Sequence, residues 1–248
     1  MGSEGPAPSV VTVHVTGFKK FHGVPDNPTE TIAQKLIEYV EEKGLPKGMV
    51  LGSCNVLDTA GHGAVEPLYQ TLQSAIFNKG SGFSNSGKII WLHLGVNSGA
   101  TQFAIESQAV NEATFRCPDE MGWKPQKVQI IPTDGEISKI RQTSLPVDKI
   151  SAALKEKEYD VMKSDDAGRF VCNYVYYHSL WFAEQNGTIS LFVHVPLFSI
   201  IDEKTQMQFV ASLLEEEWRR LKRRSKREGP KKKVDNNPLS TNKPMHIH

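Results

Sequence analysis

Residues 10–44, VVTVHVTGFKKFHGVPDNPTETIAQKLIEYVEEKG, decide the fold. Val10 to Val15 is β-branched apart from His14, and such a run reads as a strand buried on both faces. It stops at Thr16-Gly17-Phe18, where a polar loop begins. Asn27 then stands at an N-cap, Pro28 at the first helical position, and Glu30 completes a capping pattern. Ile32, Ala33, Leu36, Ile37 and Val40 form one apolar stripe of helical period, and Gly44 ends it. A buried strand joined by a loop to an amphipathic helix is the repeating unit of an α/β domain.

The same alternation extends outward. A helix is expected over Glu66–Phe77. KIIWLHLG, from Lys88, is a second buried strand ending in the turn VNSGA. KVQII, from Lys127, is a third strand, and Pro146–Lys157 is helical. GRFVCNYVYYHSLWFAEQNG, from Gly168, is a turn followed by an apolar helix. ISLFVHVP, from Ile189, is a fourth strand, and a final helix runs from Ile201 to about Arg224. The pattern predicts one α/β domain over 9–224, a three-layer α/β/α sandwich with a central, mostly parallel twisted sheet. Residues 1–8 read as a disordered leader and 225–248 as a basic, disordered tail.

Composition excludes several classes. No run of about 18 uncharged apolar residues is present, so no membrane span is expected. MGSEGPAPS has no apolar segment of a secretory signal, and Pro6 stands where an N-myristoylation pattern needs Ser or Thr. Cys54, Cys117 and Cys172 are widely spaced and form no CxxC, which argues against a disulfide framework or a zinc–thiolate cluster and for a reducing, cytoplasmic setting. The net charge of +1 conceals an asymmetry. Residues 219–233 hold ten of the 29 Lys/Arg and one of the 28 Asp/Glu, which leaves the rest of the chain at −8. Such a body is not a nucleic-acid-binding surface; a role of that kind would belong to the tail.

In parallel sheets, sites lie beyond the carboxyl ends of the strands. That rule selects TGFKKF after the first strand, GVNSG after the second, and His194-Val195-Pro196 after the fourth, with the start of the Cys172 helix facing the same edge. Helix N–H groups there favour a thiolate at Cys172, which is otherwise an inert core cysteine. His194 is either a satisfied core imidazole or a base that ionises the thiol, with His14 and His93 as rivals near strand ends. Glu106 is a solvated loop carboxylate or the group that orients the imidazole. Arg116 faces a substrate carbonyl or pairs with Asp119. Phe18 and Phe21 form a small flat apolar pocket or cap the core. SGFSNSGK and GVNSGA lack nucleotide-binding spacing, and no basic loop in the body suits a phosphorylase-like phosphate site.

Taken together, these segments resemble the pyroglutamyl peptidase type I family of cysteine peptidases. VTGFKKFHGVPDNPT is similar to the family's opening block, and GVNSG with IESQAVNEATFRCPD to its second. SDDAGRFVCNYVYY is similar to the nucleophile segment and LFVHVPLF to the histidine segment, with TSLP at Thr143 between. The ordered set spans about residues 9–220. Lys20, His22, Ser107 and Cys117 depart from the pattern, and 58–65 (DTAGHGAV) looks like an addition. The resemblance implies a triad of Cys172 as nucleophile, His194 as base and Glu106 as orienting acid. It implies that Phe18 and Phe21 hold a lactam ring, with Phe170 and Val171 alongside, Arg116 near the site and the backbone around Val96 on the lactam amide. The implied reaction removes an N-terminal pyroglutamyl residue through a thioester, without metal or cofactor. Peptides with N-terminal pyroglutamate are the implied partners, and a homo-oligomer is compatible with it. The alternative is an inactive relative that only grips such N-termini.

Overall fold

The computed structural model describes residues 10–80 and 87–227. The expected leader and residues 228–248 of the tail lie outside the described residues. The elements run β1 (Val11–Phe18), α1 (Pro28–Lys43), β2 (Met49–Leu57), α2 (Gly61–Gly80), β3 (Lys88–Val96), β4 (Phe103–Glu106), β5 (Gln108–Val110), β6 (Glu112–Ala113), β7 (Val128–Gln129), β8 (Ile140–Gln142), α3 (Val147–Lys155), β9 (Val161–Ser164), α4 (Val171–Asn186), β10 (Ile189–Val195) and α5 (Glu203–Arg227).

Six strands form the central sheet in the order β2-β1-β3-β10-β4-β9. The first four are parallel, β4 runs antiparallel to β10, and β9 is parallel to β4. On one face α1, α3 and α5 bury Leu36, Ile150 and Leu213 with Val13, Leu92 and Val193. On the other, α2 and α4 bury Leu68, Val175 and Tyr176 with Trp91 and Phe192. This is the expected three-layer arrangement around a mostly parallel sheet. Two short ribbons, β5 with β8 and β6 with β7, lie outside it. Among the described residues no helix is long and apolar enough to cross a membrane.

Local chemistry explains the boundaries. Asn27 accepts from Thr29 N at 3.1 Å and caps α1, with Pro28 in its first turn. β1 continues through Gly17 to Phe18, beyond its expected end. A Cβ on Gly17 would lie 2.0 Å from the Thr29 carbonyl oxygen, so only glycine lets the strand pass the start of α1.

Several expectations need correction. KVQII is not a sheet strand: only Val128 and Gln129 pair, antiparallel with β6, because Lys127 is left-handed (φ 51°) and a turn begins at Pro132. The sheet instead contains β2, β4 and β9, none expected from the sequence. β2 is an edge strand broken by an irregularity opposite Val13 and His14, so MVLGSCNVL shows no clean alternation. β4 and β9 have four residues each, too few for a period to register. α2 starts at Gly61, not Glu66, because Gly61 N donates to Asp119 Oδ2 at 2.9 Å, a cap supplied from far along the chain. DTAGHGAV is therefore largely the first turn of a helix.

Candidate active site

The carboxyl ends of β1, β3 and β10 bring Phe18, Val96 and His194 to one rim, with the start of α4 above them. Cys172 is the second residue of α4. The N-cap, Phe170, has no side-chain acceptor for the first-turn N–H groups, which are left to whatever occupies the space in front of them. The half-buried sulfur of Cys172 lies over Gly95 of β3, 2.9 Å from where a Cβ would stand.

Register supplies the next pair. On β10 and β4, Phe192 faces Glu106 and His194 faces Ala104, so the His194 and Glu106 side chains are diagonal neighbours on one face. Glu106 Oε1 accepts from His194 Nδ1 at 2.7 Å, and both side chains are buried. The imidazole and the Cys172 sulfur share the wall of one cavity. Burial alone would lower the basicity of His194, but the charge and hydrogen bond of Cys172, followed by those of Glu106, outweigh it and raise its pKa well above the ordinary histidine value. A proton on Nδ1 held by Glu106 leaves Nε2 to take one from the thiol. The Tyr176 hydroxyl donates to the Glu106 carbonyl at 3.0 Å and ties β4 to α4.

These groups open into a cavity of about 530 Å³ that Phe18, Phe21, Val96, Glu106, Arg116, Phe170, Val171, Cys172 and His194 all line. Its size suits a small acyl group with part of a peptide. Among the described residues no cluster of three or more His, Cys, Asp or Glu has the placement to hold a metal.

The model of the family described as Pyroglutamyl peptidase matches residues 11–217. The chain belongs to the pyroglutamyl peptidase family. A pyrrolidone-carboxylate peptidase of Pyrococcus furiosus is 34% identical over 195 residues, 77% of this chain and 84% of its own. One from Deinococcus radiodurans is 30% identical over 188 residues, 75% of this chain and 78% of its own. The structure of a mutant pyrrolidone carboxyl peptidase from P. furiosus superimposes with a TM-score of 0.72 at 27% identity, covering 85% of this chain and 99% of that one. The crystal structure of pyrrolidone carboxyl peptidase from Fervidobacterium islandicum gives 0.71 at 25% identity, covering 84% and 99%.

Within this pyroglutamyl peptidase fold, all nine residues singled out in the sequence share the one cavity. The rival histidines lie elsewhere. His93 is fully buried between Thr16 Oγ1 and Ser179 Oγ, each at 2.7 Å, and burial lowers its pKa to about 3. His14 stacks on Trp91 and bonds Ser53. Burial pushes the Cys54 thiol up to about 12, and Cys117 is not in the cavity wall. Arg116 does not pair with Asp119, which accepts instead from the N–H groups of Gly61, Met121 and Trp123. Arg116 is exposed on the cavity wall and makes no ion pair among the described residues.

Sequence reasoning missed three contributors. Gly95 makes room for the sulfur. Phe192 lies beneath the site, its ring 4.9 Å from that of His194; the two-residue period of LFVHVP puts both on one face and was the available signal. Asn27 lines the cavity while its amide donates to Lys19 O at 3.0 Å, a tie to the Phe21 loop that no local pattern encodes.

Proposed function

We propose that this chain is a cysteine exopeptidase that releases N-terminal pyroglutamate from peptides, with Cys172 as nucleophile, His194 as base and Glu106 as the group that orients it. The observation that carries the reading is the hydrogen bond from His194 Nδ1 to Glu106 Oε1 in the wall of a cavity that Cys172, Phe18, Phe21 and Phe170 also line.

His194 holds the proton of the Cys172 thiol, and the thiolate attacks the pyroglutamyl carbonyl carbon. The resulting oxyanion is met by the open N–H groups at the start of α4. The imidazolium hands its proton to the departing amine, the C–N bond breaks, and a thioester remains. Water, deprotonated by His194, then cleaves the C–S bond and releases pyroglutamate. Pyroglutamate has no α-ammonium, so the site needs aromatic walls for the ring rather than an anionic anchor. Phe18, Phe21, Phe170 and Val171 supply those walls, and Val96 and Arg116 stand near its polar atoms. The partners are peptides that begin with pyroglutamate. A cytoplasmic setting fits three free cysteines, one of them the nucleophile.

The test is release of a chromophore from a pyroglutamyl amide by the full chain. Turnover is expected, with loss in Cys172→Ala at unchanged circular dichroism, and iodoacetamide at neutral pH is expected to inactivate. Binding of the amide without turnover, and no alkylation of Cys172, would mark a gripping module instead.

A further inference from the structure

The cavity that holds the triad is also lined by Ala104 and Met162, and register fixes how they stand. His194 on β10 faces Ala104 on β4, and Ala104 faces Met162 on β9. The three residues form one row across three strands, so Met162 stands about 10 Å from His194 at two strand spacings. The row below is Phe192, Glu106 and Ser164. In that row the side chain between His194 and Met162 is the methyl of Ala104. α4 packs over β3 and β10, and Ala104 remains half-exposed in the cavity wall. The result is an apolar trough with the imidazole at one end and Met162 at the other. Met162 is 42% exposed, an unusual setting for a thioether unless something covers it.

We infer that this trough receives the side chain of the residue that follows pyroglutamate. The inference rests on the peptidase reading above and goes on from it. The acyl ring occupies the end built from Phe18, Phe21 and Val96, at β1 and β3. The scissile carbonyl lies at the Cys172 sulfur. The departing nitrogen must lie within reach of His194 to be protonated. It therefore leaves toward β4 and β9, and its α-carbon comes to rest over Ala104. The trough is apolar along its floor and carries acidic groups at its rim. Asp166 lines the cavity there, held by Arg169 Nη1 at 2.6 Å and by Gly168 N, and Asp165 is exposed beside it. A flexible apolar side chain such as Leu fits this chemistry, Gly leaves the trough empty, and Asp meets like charge.

The experiment compares kcat/KM of the full chain on pyroglutamyl dipeptide amides with Gly, Leu or Asp second. Partial burial of a Leu side chain is expected to favour it over Gly by about tenfold, with Asp slowest. Ala104→Leu fills the trough and should bring the Leu-to-Gly ratio close to one. Met162→Ala, at an exposed position that folding tolerates, should lower the same ratio severalfold. Equal rates for Leu and Gly in the wild type, or a ratio that Met162→Ala leaves unmoved, would overturn the inference while the peptidase reading stood. Failure to cleave any of the three amides would overturn the peptidase reading itself.

Discussion

Gly95 and Cys172 compete for one volume: a Cβ added to Gly95 would come within 2.9 Å of the Cys172 sulfur and within 2.6 Å of the Phe192 ring. Neither neighbour can easily yield. Phe192 is fully buried and in contact with His194, and the sulfur has to stay within reach of the imidazole to be ionised by it. Gly95→Ala should therefore push the nucleophile away from its base. A displacement of that order costs about a hundredfold in rate, and overpacking costs about 1–3 kcal/mol of stability. Chromophore release and thermal unfolding of the variant measure the two effects. An unaltered kcat/KM would show that the sulfur does not work from this position.

Glu106 contributes through geometry. Its Oε1 holds His194 Nδ1, while its buried Oε2 has no hydrogen-bond partner. In Glu106→Gln the amide can turn its NH2 toward Nδ1 and favour the tautomer with the proton on Nε2, the one that cannot accept from the thiol. kcat is expected to fall by about 10²–10⁴ with KM little changed and the fold intact, since the shape is conserved. A loss confined to KM would remove Glu106 from its proposed role.

The parts of this arrangement that the sequence disclosed are those encoded locally. The Asn27-Pro28 cap, the β-branched β1 and the apolar runs of β3 and β10 carry their periods in consecutive residues. Strand-end placement alone puts Phe18, Val96 and His194 at one rim. Glu106 was ambiguous because β4 has only four residues, and its partner is fixed by an antiparallel register that no local pattern reports. α2 was misjudged at its start because the capping carboxylate, Asp119, lies 58 residues away. KVQII has strand composition, but the run starts from a left-handed Lys127 and pairs only with β6, outside the central sheet.

Stability should peak in mildly acid solution. Burial lowers the pKa of His93 to about 3 and those of His14 and His178 to about 4, with His62 contributing at His178. Each is neutral in the fold and takes up a proton on unfolding below about pH 6.5, so stability falls as pH drops from there toward 4, by up to about 1.4 kcal/mol per pH unit per histidine. Glu217 acts in the opposite sense. It is fully buried, neither carboxylate oxygen has a partner among the described residues, and burial raises its pKa to about 8. The folded form keeps a proton that the unfolded chain releases above about pH 4.5, so this stabilisation is lost progressively between about pH 4.5 and 8. Unfolding temperature measured from pH 4 to 9 should show both limbs, and Glu217→Gln should make the decline up to pH 8 shallower, while the raised His194 keeps part of the alkaline limb. A profile rising steadily to pH 9 would contradict the burial of Glu217.

Arg116 presents its guanidinium to the cavity without an ion-pair partner among the described residues, while the adjacent Asp119 is engaged by three backbone N–H groups. A free cation beside a neutral lactam is a donor to a carbonyl oxygen in the bound ground state. A hydrogen bond from a charged donor contributes about 1.5–3 kcal/mol, so Arg116→Ala should raise KM by about ten- to a hundredfold and leave kcat within about threefold, the pattern of lost uniform binding. Stability should move by less than about 0.5 kcal/mol because the side chain is exposed. Arg116→Lys should recover only part of the loss, since an ammonium cannot reproduce the planar fork. A fall in kcat at constant KM would place the guanidinium at the developing oxyanion and not at the resting carbonyl.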